Sequence, residues 1–100
     1  MQAARVMSLR VSPERMEEVS DAYRSVLLPE LKDQVPGFTA LLLLVNEETG
    51  HAFEITLFAS EEDRDRAEGE GGMVERKLEV LAGILDEPPK IETHELKIMS

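Results

Sequence analysis

From Ala3 to Val11 apolar and polar residues alternate, with Met7, Leu9 and Val11 on one side and Val6, Ser8 and Arg10 on the other. That two-residue period predicts a half-buried strand. The period then lengthens. Ser12 offers a helix N-cap, Pro13 suits the first helical position through its preset φ, and Glu14 favours the positive end of the helix dipole. Met16, Val19, Tyr23, Val26, Leu27 and Leu31 follow at three- and four-residue steps, which predicts an amphipathic helix over residues 13–34. Pro29 has no N–H and disfavours the α conformation at Leu28, so a kink or restart is expected there. After the breaker "VPGF", strands are predicted at 38–46 and 51–59, joined as an antiparallel hairpin by the turn-rich "EETG". Phe53, Ile55 and Leu57 share one face of the later strand; Glu54, Thr56 and Phe58 share the other.

Ser60 and Asp63 form a short version of the capping box, with Glu61 and Glu62 in the same first turn. The helix they start is interrupted by "AEGEGG". Helical spacing resumes with Val74, Leu78, Leu81, Ile84 and Leu85, predicting a longer piece over 73–85 that "DEPPK" terminates. A last strand is predicted at 90–99, its apolar phase shifting from Ile91 to Leu96 and Ile98, as at a bulge or a change of neighbour.

Strand, helix, strand, strand, helix, strand is a ferredoxin-like α+β plan in one domain, residues 1–100. It predicts a four-stranded antiparallel sheet in the order 4-1-3-2, with both helices on one side. The second strand then lies at an edge, and its run Leu41, Leu42, Leu43, Leu44, Val45 is apolar on both faces. The helices are expected to take either Leu41, Leu43 and Val45 or Leu42 and Leu44, together with Met7, Leu9, Phe53, Ile55 and Leu57. The other set would stay wet, each exposed leucine forgoing roughly 1.5–3 kcal/mol of burial, and an apolar edge strand invites uncontrolled pairing. A second copy of the chain is the expected cover, packed sheet on sheet as a two-fold dimeric α+β barrel, with the last strand reaching the partner's second strand.

Charge narrows the partners. With 11 Lys and Arg against 21 Asp and Glu, the formal net charge is -10, so nucleic acid backbones and anionic membrane surfaces are repelled. The absence of cysteine removes disulfides, thiol catalysis and thiolate metal sites. The opening "MQAARVMSLRV" carries too short an apolar run for a signal peptide, and a cytoplasmic protein is expected.

The segment "VPGFTALLLLVNEETGHAFEITLFASEED", residues 35–63, resembles the central signature of the antibiotic biosynthesis monooxygenase-like domains of the dimeric α+β barrel superfamily: a Pro-Gly-Phe opening, an apolar strand, a polar turn, a second strand and an acidic helix start. The resemblance implies a homodimer with a pocket in each subunit between sheet and helices. Characterised relatives include cofactor-independent oxygenases of polycyclic aromatic substrates and heme-degrading enzymes, and many similar domains have no known activity. Those relatives use tryptophan, asparagine, and tyrosine or histidine in the pocket. This chain has no tryptophan, its first strand has no asparagine, and Asn46 sits beside the turn, so no catalytic residue transfers on a motif match.

The candidates are therefore few. His94 in the last strand is a base or ligand near neutral pH if it faces a pocket, and a hydrogen-bonded strand histidine otherwise. Tyr23 is a proton donor at the pocket rim or a core ring with a partnered hydroxyl. The expected pocket lining is Met7, Tyr23, Phe38, Phe53 and His94. His51, beside the turn, is expected in solvent, and without a second histidine at ligand spacing neither metal nor cofactor is expected. If the dimer forms, Arg10 and Glu54 are expected to pair in or near the barrel interior, as an interface salt bridge that fixes register or, less favoured, as a polar ligand site, and the glycines of residues 69–72 allow a lid. Two functions follow: a cofactor-independent oxygenase of a flat, mostly apolar aromatic molecule that itself supplies the electrons, or a noncatalytic dimeric binding or accessory domain.

Overall fold

β1 (Ala3–Arg10) is the hub of the sheet: it pairs antiparallel with β3 (His51–Phe58) on one side and β4 (Lys90–Glu95) on the other. β2 (Phe38–Asn46) adds to β3, giving the order β2-β3-β1-β4 in a computed structural model that describes residues 2–69 and 72–100. This is the 4-1-3-2 order expected, with the leucine-rich strand at an edge. The hairpin between β2 and β3 closes through Gly50, whose φ of 78° takes the left-handed region glycine adopts without strain. Asn46 serves this turn, its Oδ1 accepting from the backbone N–H groups of Glu48 and Thr49 at 3.0 and 3.2 Å.

The helical layer runs without a loop from Pro13 to Gln34 but changes pitch three times. A 3₁₀ turn at Pro13–Arg15 leads into α1 (Met16–Ala22), a π-helical turn spans Tyr23–Leu27, and α2 (Leu28–Gln34) follows. The π turn is how the chain accommodates Pro29: the Leu28 N–H bonds to the Tyr23 carbonyl five residues back, where a proline one position later supplies no N–H for the α-helical ladder. It has a second effect. Val19, Tyr23, Leu27 and Leu31 recur every four residues and all are buried, whereas steps of four overshoot a 3.6-residue turn and drift around a regular helix. The wider turn takes up that drift and keeps the stripe on the sheet.

α3 (Glu61–Ala67) begins as expected, with Ser60 Oγ accepting from the Asp63 N–H at 3.1 Å and donating to its carboxylate at 3.0 Å. Ser12 does not cap: its hydroxyl bonds instead to the Asp86 carboxylate at 3.3 Å. α4 (Met73–Leu81) stops one turn short of the expected Leu85, and β4 stops at Glu95, leaving Ile98 and Met99 outside the sheet and exposed. The phase shift in the last apolar run thus marks a strand end. The lid suggested by residues 69–72 falls largely on Glu70 and Gly71, outside the described residues.

The register overturns one expectation. Met7 stands opposite Glu54, Arg5 opposite Thr56, and Leu9 opposite Ala52, so Met7 and Leu9 face the helices with Glu54, Thr56 and Phe58. Phe53, Ile55 and Leu57 face the other way, beside Val6, Leu42 and Leu44. Leu41 and Leu43 pack against the helix-covered core. The apolar side of β3 is therefore the side with no helix over it. For the same reason Arg10 and Glu54 lie on opposite faces and do not pair.

Candidate functional site

The helix-covered face of β3 carries two polar residues that the alternation disguised. Glu54 and Thr56 are both fully buried, as are Arg5 on β1 and Lys77 on α4. Lys77 comes from a helix whose expected apolar stripe omitted it; Met73, Lys77 and Leu81, at four-residue steps, are the buried positions. The Lys77 ammonium lies 2.5 Å from Glu54 Oε1 and donates to Thr56 Oγ1 at 3.2 Å, while the Thr56 hydroxyl donates to the same carboxylate oxygen. Burial lowers the pKa of Lys77, and the Glu54 carboxylate opposes that shift. Arg5 donates from Nε to Glu68 Oε1 at 2.6 Å, reaches the Arg64 carbonyl at 3.3 Å, and lies 5.3 Å over the Phe58 ring. Tyr23 completes the group from the π turn, a helix irregularity that concentrates at functional sites. Burial, reinforced by Glu54, pushes its phenol well above the ordinary range.

Of the residues expected to line one pocket, Met7 and Tyr23 are in this interior and Phe38 packs against it. Phe53 and His94 are on the opposite, open face, with His94 exposed on β4 opposite Ala4. The five do not converge: the exchanged faces of β3 carry Phe53 to the open side, and the pairing of His94 with Ala4 puts it on that side too. His51 is half-buried rather than solvated: its Nε2 lies 2.5 Å from the Arg10 guanidinium, and its ring stacks 6.2 Å from Phe53. Glu54, Thr56 and Lys77 escaped sequence reasoning in their roles. Alternation carried no signal for this: Glu54 and Thr56 share a face with Phe58, but the opposite face holds Phe53, Ile55 and Leu57, and the pairing of Met7 with Glu54 is what places the polar pair inside.

Apart from the interior cluster, none of whose residues lines it, a cleft of about 410 Å³ opens between α2, α3 and the start of α4. Val35, Pro36, Ala67 and Met73 give it an apolar floor, and Glu30, Asp63, Arg66 and Arg76 a charged rim. The rim is organised by a fork of hydrogen bonds from Arg76 to Glu30 at 2.8–3.2 Å, which holds the Glu30 carboxyl below its usual range. Met73 belongs to both the cleft and the buried core, and Lys77 follows it by one turn on the same helix face. A smaller hollow of about 210 Å³ lies among Arg10, His51, Phe53 and Lys90. Among the described residues no group of three or more His, Asp or Glu could hold a metal ion, and no helix is long and apolar enough to cross a membrane.

The open face of the sheet is the other notable surface. Leu42, Leu44 and Phe53 are 43, 52 and 42% exposed, side by side on neighbouring strands.

Solved structures share this architecture over its whole length. A protein of unknown function from Nitrosomonas europaea is 25% identical with a TM-score of 0.74, covering 99% of this chain and 92% of its own. An antibiotic biosynthesis monooxygenase-like protein of Caulobacter crescentus is 20% identical, TM-score 0.74, covering 97% of this chain and 91% of its own. A monooxygenase from the gene ActVA-Orf6 of Streptomyces coelicolor, solved in complex with the ligand nanaomycin D, reaches a TM-score of 0.80 at 16% identity, covering 98% of this chain and 89% of its own. No protein-family model and no curated protein matches the chain.

Proposed function

Starting from a fold shared with antibiotic biosynthesis monooxygenase-like proteins, we propose that this chain is a homodimeric, cofactor-independent oxygenase of a flat aromatic small molecule. The observation that carries the reading is the cleft between α2, α3 and α4. Its volume of about 410 Å³ falls in the range of small-molecule sites, and an apolar floor with a few charged groups at the rim is how such sites bind flat ligands and orient them. Glu30, Asp63, Arg66 and Arg76 at the rim are the groups the ligand's polar end would meet there. A hydroquinone-type substrate supplies the electrons that O₂ takes up, so the protein's task is to bind, orient and deprotonate. The second copy covers Leu42, Leu44 and Phe53, whose burial favours association.

Oxygen uptake with 1,4-dihydroxynaphthalene tests this directly. The protein is expected to raise uptake above the rate of autoxidation, with saturation, and a Val35→Phe variant that fills the cleft is expected to return it to background. An unchanged background rate with wild-type protein sinks the oxygenase reading. A specific observation favours the noncatalytic alternative: Met7, Leu9, Leu27 and Leu31 are at most 1% exposed, so the interior is closed by the chain's own side chains. For that binding or accessory module, calorimetry is expected to show saturable binding of the same compound without oxygen uptake.

A further inference from the structure

The open face of the sheet is apolar at Leu42, Leu44 and Phe53 but cationic toward the end of β1. Cross-strand pairing sets out two rows there: Phe53, Ser8 and Lys90 form one, and His51 and Arg10 the next. Ser8 is the small residue in the middle, so its neighbours stand around a hollow of about 210 Å³ that Glu87 and Pro88 close at one end. The Asp86 N–H bonds to the Arg10 carbonyl at 2.9 Å and ties that end down.

Three contacts place the Arg10 guanidinium. Its Nη2 donates to His51 Nε2 at 2.5 Å, Nη1 donates to the Thr49 carbonyl at 3.5 Å, and Nε lies 3.5 Å from a Glu87 oxygen. A guanidinium has five N–H donors, so two remain. Among the described residues Lys90 has no ion-pair partner and the Ser8 hydroxyl no hydrogen bond. An unpaired ammonium beside a guanidinium is a local excess of positive charge in a chain with 21 Asp and Glu against 11 Lys and Arg. It attracts an anion at short range, while the net charge of -10 repels one at long range. A single negative charge suffers that repulsion least, and Glu87 opposes a second one. Phe53 and Pro88 add an apolar wall.

We propose that this hollow binds a small organic monocarboxylate. The carboxylate accepts from Lys90, the two free donors of Arg10 and the Ser8 hydroxyl, and the hydrocarbon part lies against Phe53 and Pro88, the usual combination of a few placed polar groups and an apolar wall. The site shares no residue with the cleft between α2, α3 and α4, so it stands or falls separately from the oxygenase reading. Phe53 also belongs to the patch that the proposed second copy covers, so the bound ligand borders that interface.

Cyclohexanecarboxylate at pH 7.5 is the probe, followed by calorimetry and by the imidazole NMR signals of the two histidines. Saturable binding is expected, moving the signals of His51 and leaving those of His94, further along β4, in place. Lys90→Gln is expected to weaken binding about tenfold by removing a charge-assisted hydrogen bond, Ser8→Leu to abolish it by filling the hollow, and Glu87→Gln to tighten it several-fold. The uncharged isostere cyclohexanecarboxamide is expected not to bind. No saturable binding by wild type, equal binding of acid and amide, or unchanged affinity in Lys90→Gln overturns the proposal. Dissociation of a ligand-free dimer by Lys90→Gln in sedimentation identifies the occupant as a carboxylate of the second copy and overturns it too. Lys90 is exposed at the first position of β4, so its variant decides even if Ser8→Leu fails to fold.

Discussion

Tyr23 concentrates the conflict between stability and a polar site. Its ring fills the core at 2% exposure while its hydroxyl has no partner, so removing the oxygen is expected to help the fold. Tyr23→Phe should raise the stability to urea by about 1 kcal/mol near neutral pH. The pH dependence has a defined sign. The folded phenol ionises above its ordinary value of 10.0, so it binds its proton more tightly folded than unfolded; its contribution is fully present below pH 10 and is lost as pH rises beyond it. The wild type should therefore lose stability above pH 10 more steeply than Tyr23→Phe, and urea melts across pH 8–11 measure it. Tyr23 was legible as a core residue with a polar tip from helical spacing alone. Lys77 was not, because a lysine in a helical pattern reads as a solvated position, and only the carboxylate of Glu54 across the interior makes its burial tolerable.

Elements were legible where their signals are local. The Ser60 cap formed because its hydroxyl needs only the Asp63 N–H three residues on, and Ser60→Ala is expected to cost about 1 kcal/mol in a denaturant titration without changing the fold. The break at Pro29 was legible too, since the missing N–H is a property of the residue. Its form was not. A kink, a restart and a π turn all answer the same missing donor, and the π turn is selected because it keeps Val19, Tyr23, Leu27 and Leu31 against the sheet. Ser12 misled because a capping hydroxyl has alternatives: Asp86, far along the chain, takes its bond instead. The end of β4 was misread for a related reason, because apolar alternation continues in sequence after the pairing partner on β1 has run out.

At the scale of the molecule, the open sheet face carries the proposed assembly. Leu42, Leu44 and Phe53 form an apolar patch on a chain whose formal net charge is -10, and charge repulsion between copies is outweighed only if the patch is buried against a matching surface. Leu44→Lys is expected to convert a dimer of the 11.2 kDa chain to monomer in sedimentation at micromolar concentration, and raising the salt should tighten the wild-type dimer by screening. A wild-type monomer under those conditions removes the assembly from the proposal.

By itself the sequence determined the order of the elements, the hairpin, the sheet order and the presence of an apolar layer beyond the helices, because periodicity, turn chemistry and connection rules act over short stretches. Only the tertiary structure decided which side of β3 meets the helices. Alternation separates Glu54, Thr56 and Phe58 from Phe53, Ile55 and Leu57 but assigns neither set to a layer; the pairing of Met7 with Glu54 does that. With it the interior became polar, the open face became apolar, and Glu54 moved from an expected partner of Arg10 to the centre of the buried cluster with Lys77.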